Sequence, residues 1–278
     1  MSRFRPAHRV SPRFALSAAA LCAAAAVNAA PVQVTVTIDN LAPAGSVSFA
    51  PLHLGFHQGV FDAFNNGQAP GAGITTVAEG GSGSIWQTDF AAADPSATRG
   101  TIDGALTPGA SKSQMFMVDP SVNPFFTFAS MVIPSNDLFI GNDSATRFRL
   151  FDAAGQLLIN SIDQLARDIW DNGSEVADPA NAAFVVGGVN SQRTPQNGVV
   201  NFSFSELDAF NGLTTAANYT FNNTLSAADA IYRISFAVQN TVAEPASLGL
   251  ALASLALLGG VGRISRRRCT PGGSFTPA

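Results

Sequence analysis

The chain has 278 residues, with 15 Lys and Arg, 19 Asp and Glu and 3 His, which gives a formal net charge of −4. The basic residues are concentrated at the ends: residues 30–243 hold seven Lys and Arg against eighteen Asp and Glu, so that part carries −11 (7 minus 18). Such an acidic part is unsuited to nucleic acid, whose phosphates are bound by Lys and Arg. Cys22 and Cys269 lie outside it, which excludes a disulfide within it.

The N-terminal end has the three parts of a secretory signal peptide. Residues 14–27 form an uncharged, Ala-rich apolar run, and small residues follow it, so we expect cleavage near Ala29 or Ala30. The alternative is an N-terminal membrane helix, but these 14 residues fall short of the roughly 20 that span a bilayer. The basic segment before the run contains Arg3, Arg5, Arg9 and Arg13.

The central residues predict β-strands. Apolar and polar residues alternate with a period of two at residues 32–38, 199–204 and 231–238, which favours strands with one buried face. Phe125–Ile133 is a longer apolar run typical of a strand buried on both faces. Residues 147–158 predict a hairpin around a Gly-containing turn.

Short helices and polar turns complete the predicted domain. We expect helices at residues 57–64 and 162–169, and loops at Gly- and Asn-rich segments such as residues 65–67 and 80–83. Many strands separated by turn signals indicate an all-β fold, an antiparallel β-sandwich. No internal repeat or linker divides residues 30–241, so we predict one domain there.

Acidic residues next to predicted strands are candidates for a metal site. Asp137 follows a strand, and Asp171 and Glu175 lie four residues apart across a turn that contains Gly173. A hard cation such as Ca²⁺ is bound by several oxygens from carboxylates and carbonyls on loops. The alternative is that these side chains only cap turns or face solvent, as Asp and Asn in turns usually do.

Several separated segments, in order, resemble the spondin domain family. They are residues 52–57 (Leu-His-Leu-Gly-Phe-His), 61–67 (Phe-Asp-Ala-Phe-Asn-Asn-Gly), 77–81 (Val-Ala-Glu-Gly-Gly), 131–137 (Met-Val-Ile-Pro-Ser-Asn-Asp) and 170–175 (Trp-Asp-Asn-Gly-Ser-Glu). The similarity extends from about residue 32 to residue 240.

The spondin resemblance implies a fold and a ligand set. The implied fold is a C2-like β-sandwich that holds a calcium ion at its loops. The implied metal ligands are Asp137, Asp171 and Glu175. Glu175 stands where the family has Asp, and Leu138 stands where it usually has Trp beside the first ligand.

Other candidate sites in the sequence are weaker. His53 and His57 could share a helix face as metal ligands, but we expect them to pack structurally and Glu79 to cap or pair inside the fold. Glu206 and Asp208, two apart on a strand-like run, are expected to form a solvated face rather than a glycosidase pair. The sequence contains no Gly-x-Ser-x-Gly nucleophile motif, so we predict no enzymatic activity.

The C-terminal end has an apolar run closed by arginines. Residues 246–261 are apolar, and such a stretch followed by arginines stops in a membrane with its basic end in the cytoplasm. With residues 242–247 (Val-Ala-Glu-Pro-Ala-Ser), the segment 242–268 resembles the PEP-CTERM sorting signal of Gram-negative bacteria, which implies processing by an exosortase-type protease. Residues 269–278 form a tail beyond it, and a plain anchor helix is the alternative. The sorting residues are Glu244, Pro245, Arg266, Arg267 and Arg268.

Together these features predict an exported binding module. We expect signal-peptide removal (residues 1–29), membrane association through the C-terminal helix and a final location in the cell envelope, at the surface or in the extracellular matrix. The predicted role is adhesion or interaction with a surface glycan or matrix protein. The alternative function is a surface hydrolase that acts on extracellular polysaccharide.

Overall fold

The computed structural model describes residues 31–239, which form two antiparallel β-sheets and two short α-helices. The strands are β1 (Val32–Asn40), β2 (Ser48–Phe49), β3 (Leu52–His57), β4 (Thr98–Ile102), β5 (Ser111–Val118), β6 (Phe125–Ile133), β7 (Leu138–Gly141), β8 (Phe148–Arg149), β9 (Ser161–Leu165), β10 (Trp170–Asp171), β11 (Asn201–Phe202) and β12 (Ala230–Gln239). The helices are α1 (Ala72–Gly80) and α2 (Ser84–Ala93), with 3₁₀ helices at Ala166–Asp168, Asn190–Gln192 and Phe204–Phe210.

The first sheet has four strands in the order β5-β1-β12-β9. Burial alternates along β1, with Val34, Val36 and Ile38 buried and the residues between them partly exposed. Strand β12 pairs with β1 so that Val36 lies opposite Phe236 and Ile38 opposite Ile234. This sheet therefore has one apolar face, as the period-two pattern predicted.

The second sheet runs in the order β11-β10-β7-β6-β3-β4, with β2 and β8 also paired to β6. Strand β6 is buried along nearly its whole length because both of its faces are covered. Phe126 and Phe128 lie in the cluster that also contains the apolar residues of the first sheet, whereas Ala129 lies in a second cluster with Trp86 and Phe90 of α2. The two sheets thus share one core, and the helices cover the outer face of the second sheet.

The expected all-β, antiparallel architecture is confirmed for the described residues. The strands predicted at residues 32–38, at Phe125–Ile133 and at residues 231–238 are present. The predicted reversal within residues 147–158 is also present: Phe151 bridges Leu157, and the amide of Asp152 donates to the carbonyl of Gln156 at 3.0 Å.

The two predicted helices are wrong. Residues 57–64 are the end of β3 and a loop, and residues 162–169 contain β9 and the 3₁₀ helix Ala166–Asp168. The helices lie instead at α1 and α2, on either side of residues 81–83. The predicted strand at residues 199–204 is reduced to the two residues of β11.

Several sequence predictions concern the ends of the chain. The signal peptide (1–29), the apolar C-terminal segment and the sorting residues Glu244, Pro245, Arg266, Arg267 and Arg268 lie outside the described residues. Within residues 31–239, the helices are all too short or too polar to cross a bilayer.

Candidate metal centre

Three carboxylates converge at one end of the second sheet. One oxygen from each of Asp137, Asp171 and Glu206 lies within 4.8 Å of the other two. Asp137 lies in the turn between β6 and β7, and Asp171 ends β10. Since Asp171 pairs with Leu138 in the β7–β10 ladder, the sheet itself places Asp171 beside Asp137.

Asp137 is buried and keeps one oxygen without a partner. The turn that carries it is closed by Ser135, whose hydroxyl donates to the Val132 carbonyl at 2.6 Å and accepts from the Leu138 amide at 3.1 Å. The Oδ2 atom of Asp137 accepts hydrogen bonds from the amides of Ser174 and Glu175, at 2.8 and 2.9 Å, and from the Ser174 hydroxyl. Its Oδ1 is buried and unpartnered. A buried carboxylate oxygen in that state is costly unless a cation or donor binds it.

Asp171 is fixed by the turn that follows it. Its Oδ1 accepts from the Gly173 amide at 2.6 Å, and its Oδ2 accepts from Nδ2 of Asn201 on the neighbouring strand at 3.2 Å. Gly173 has a φ of +68°, which L residues rarely adopt, and a Cβ there would lie 2.6 Å from the Val199 carbonyl oxygen. The Asp-Asn-Gly turn therefore needs its glycine both for the backbone angle and for space.

Glu206 is the acid whose position the sequence prediction got wrong. It lies on the 3₁₀ helix Phe204–Phe210, not on a strand, and the neighbouring Leu207 anchors that helix in the core. Glu206 is partly buried, and its Oε1 accepts from the Ser203 hydroxyl at 2.5 Å. Only Asp208 is exposed, as expected. The Ser203-x-x-Glu206 spacing, typical of a helix start, is the signal that could have indicated a helical turn here.

Glu175 does not join the three converging carboxylates. Its side chain is 2% exposed and forms an ion pair with Arg193 at 3.0 Å; the same guanidinium nitrogen lies 2.8 Å from Glu79. Glu175 contributes to the site through its backbone, because its amide donates to Asp137. The expectation that Glu79 pairs inside the fold is confirmed by the ion pair with Arg193.

The electrostatics of the cluster favour protonation when no cation is bound. Burial is the main cause that raises the pKa of Asp137 to about 6 and that of Glu206 to about 7, and the nearby Asp171 raises both further. Burial also raises the pKa of Asp171. A cation bound among the three would reverse this effect, because a nearby positive charge favours the ionised carboxylates.

The donor set fits a hard divalent cation. All three converging groups are carboxylates, which are the ligands that Ca²⁺ prefers, and the unpartnered Oδ1 of Asp137 supplies an oxygen that the protein does not use. The site thus has an oxygen available to an ion without breaking the hydrogen bonds that hold the turns.

The two histidines are engaged separately. The Nδ1 atom of His53 is 3.0 Å from the Thr101 hydroxyl, and its Nε2 is 3.0 Å from the Gly81 carbonyl. His57 has its Nε2 2.9 Å from the Thr127 hydroxyl, while its Nδ1 accepts from the Gly59 amide at 3.1 Å. Both rings therefore have structural partners, in agreement with the expectation that they pack inside the fold.

Compared with models of known protein families and with curated proteins, the chain gives no match.

Proposed function

We propose that this protein is an exported, non-catalytic calcium-binding module that uses a C2-like β-sandwich for interaction at the cell surface or in the extracellular matrix. The single observation that carries the calcium part is that one oxygen from each of Asp137, Asp171 and Glu206 lies within 4.8 Å of the other two, in a cluster where Asp137 also keeps a buried oxygen without a partner. Burying three carboxylates together is unfavourable unless a cation compensates them.

Each ligand has a defined role in the proposed site. Asp137 presents Oδ1 to the ion while Oδ2 holds the backbone of Ser174 and Glu175. Asp171 and Glu206 supply the other carboxylates. A bound calcium ion would supply the positive charge that links the turn between β6 and β7, strand β10 and the Phe204–Phe210 helix. In this assignment Glu206 takes the place of Glu175, which is engaged by Arg193.

The spondin resemblance and the chain ends supply the rest of the proposal. Two of the segments that resemble that family, residues 131–137 and 170–175, are joined by hydrogen bonds from the amides of Asn172, Ser174 and Glu175 to Asp137, and this supports a calcium-binding C2-like domain. The basic, apolar ends at residues 1–29 and 242–268 support export and sorting by an exosortase-type protease. The adhesion role rests on the same resemblance.

The proposed calcium site is tested by titrating the full-length protein with Ca²⁺ by calorimetry and by thermal melts. Ca²⁺ should bind at one site and raise the melting temperature. Glu206→Gln and Asp171→Asn should each abolish both effects, whereas Asp208→Asn, on the same 3₁₀ helix but exposed, should change neither. If Glu206→Gln binds Ca²⁺ like the wild type and Glu175→Gln does not bind it, the third ligand is Glu175 and not Glu206. If the wild type does not bind Ca²⁺, the proposal is wrong.

Sorting is tested separately in the native host. Fractionation followed by sequencing of the mature C-terminus should find the chain cut before Arg266, Arg267 and Arg268, and outside the inner membrane. An intact arginine cluster in the inner membrane would support a plain anchor helix instead.

A further inference from the structure

A cleft of about 440 Å³ opens where the chain passes from the first sheet to the second. Its walls come from both sheets: Ile162 and Gln164 belong to β9, whereas Trp170 and Phe202 belong to β10 and β11. This volume is within the range of small-ligand sites. The three acids of the metal centre are not part of the lining.

One wall of the cleft is a stacked aromatic pair. The rings of Trp170 and Phe202 have centroids 3.7 Å apart and planes 25° apart. Trp170 is 4% exposed and therefore fixed by its surroundings. Phe202, which stacks on Trp170, is 50% exposed. An immobilised, half-exposed ring offers an apolar face to a ligand at little entropic cost, since the ring is already fixed.

A buried hydrogen-bond acceptor also lines the cleft. Gln164 is only 6% exposed, and its Nε2 donates to the Asp163 carbonyl, which leaves Oε1 buried and without a partner. Unpaired buried acceptors are rare in folded proteins and are unfavourable unless something binds them. Gln164 lines the cleft, so a donor such as a ligand hydroxyl group can satisfy Oε1 once the side chain rotates towards the cleft.

The charged groups of the lining are also mainly acceptors. The Asp143 side chain makes no hydrogen bond within the described residues. The Oδ2 atom of Asp168 accepts a hydrogen bond from the Leu165 amide. Asp163 is neutralised by Arg233 through two hydrogen bonds. Arg147 lies over the Phe148 ring at 5.8 Å and is the one basic side chain in the lining. With acceptors in excess, the cleft suits a ligand rich in hydroxyl donors and disfavours an anion.

We infer that this cleft is a binding site for neutral carbohydrate. The apolar face of a sugar ring packs on Phe202, and its hydroxyl groups donate to Oε1 of Gln164 and to the carboxylate of Asp143. The inference rests on the proposed function as a surface binding module and names its ligand class. It does not use the metal centre, so the two can be tested apart.

The test uses the full-length protein in saturating Ca²⁺ on an array of neutral, acidic and amino oligosaccharides, followed by titration of the best neutral ligand. We expect retention on neutral glycans. Phe202→Ala should weaken binding at least tenfold. Phe184→Ala is the matched control, because Phe184 is 42% exposed but lies outside this cleft, and it should bind as the wild type.

Gln164→Leu separates a binding role from a structural one. Leu keeps the buried volume and removes the unpartnered oxygen, so the melting temperature should stay the same or rise while affinity falls several-fold. Unchanged affinity in both Phe202→Ala and Gln164→Leu would overturn the inference, as would retention on acidic or amino glycans alone. Ca²⁺ binding without any glycan retention would overturn the inference and leave the proposed calcium module intact. Glycan retention without Ca²⁺ binding would support the inference and overturn the proposed calcium module.

Discussion

The guanidinium of Arg193 lies 3.0 Å from the carboxylate of Glu175, which is almost completely buried. Arg193 comes from the loop after the 3₁₀ helix Asn190–Gln192 and is itself 41% exposed. The ion pair therefore fastens a surface loop to the residue whose amide holds Asp137. Glu79 of α1 shares the same nitrogen, so the pair also links the loop to the helical layer.

Arg193→Met should destabilise the protein by about 1–2 kcal/mol, below the cost of breaking a fully buried pair because Arg193 is half-exposed to solvent. The change removes the cation that lowers the pKa of Glu175, which burial first and then Glu79 raise to about 7. The loss should accordingly be larger at pH 8, where Glu175 is ionised, than at pH 5. Urea unfolding at the two pH values measures it.

Two controls accompany Arg193→Met. The exposed Arg167→Met should change stability by less than about 0.5 kcal/mol. In a Glu175→Gln background, Arg193→Met should lose most of its effect, because no buried charge remains unpaired. An equal cost in both backgrounds would mean that Arg193 acts through its packing or its ion pair with Glu79 and not through Glu175.

The calcium affinity of the proposed site should depend on pH because its three acids must lose their protons to bind the ion. Asp137 has a pKa raised to about 6 and Glu206 to about 7, so below these values Ca²⁺ must displace protons to bind. We expect affinity to rise about tenfold or more between pH 6 and pH 8. Calorimetry in two buffers of different ionisation enthalpy should also detect proton release.

Glu206→Gln should bind Ca²⁺ too weakly for its pH profile to matter, and Asp208→Asn should keep the full profile. Affinity that stays constant between pH 6 and pH 8 would show that the three acids are already ionised in the free protein. In the metal-free protein their raised pKa values act in the opposite direction on stability: the folded state binds more protons, so stability falls as pH rises through about 4 to 7.

His57 should make stability fall in acid. Burial lowers its pKa from 6.5 to about 4. A base with a depressed folded pKa contributes stability that is complete above about pH 6.5 and is lost as pH falls from 6.5 towards 4, which amounts to about 3 kcal/mol. The difference in unfolding free energy between wild type and His57→Gln across this range isolates the effect, since the metal-centre acids contribute equally to both.

A direct measurement on His57 is the NMR titration of its ring protons. They should shift near pH 4, where protonation of Nδ1 breaks the hydrogen bond that this atom accepts from the Gly59 amide and leaves the Nε2 contact with the Thr127 hydroxyl in place. A midpoint near 6.5 would show that the ring is solvated in solution and that its burial does not govern its protonation.

The strands were predictable where burial follows a local period. β1 alternates because one of its faces covers the core, and β6 is a continuous apolar run because both faces are covered. The failures arise where tertiary pairing decides. The segment 162–169 has apolar residues at helical spacing, at positions 162, 165, 166 and 169. Its first part is nevertheless extended, because it pairs with β12 as strand β9. The sequence does not predict α1, because a glycine-rich segment lies between it and α2. The helix nevertheless forms, and its Ile74, Val77 and Ala78 are buried.

The candidate site was predictable only in part for a related reason. Asp137 and Asp171 are flagged by their own turn residues and by the family resemblance, and the β7–β10 pairing brings them together. Glu206 lies 35 positions after Asp171 and reaches the site because its 3₁₀ helix packs into the core. No local period carries that information, so the sequence predicts a solvated face at Glu206.

Gly173→Ala should lower both the stability of the fold and the calcium affinity of the proposed site. The positive φ costs about 1–2 kcal/mol for an L residue, and the overlap of its Cβ with Val199 adds about 1–3 kcal/mol. The strain must move the turn whose amide holds Oδ1 of Asp171, so Ca²⁺ affinity should fall at least about tenfold. Gly67→Ala is the matched control: Gly67 has a φ of +77°, but a Cβ there meets nothing within 4 Å. Gly67→Ala should lose only the stability that the positive φ costs, about 1–2 kcal/mol, and should keep its calcium affinity. If both variants lose affinity alike, the metal centre responds to global stability and not to the geometry of the Asp171 turn.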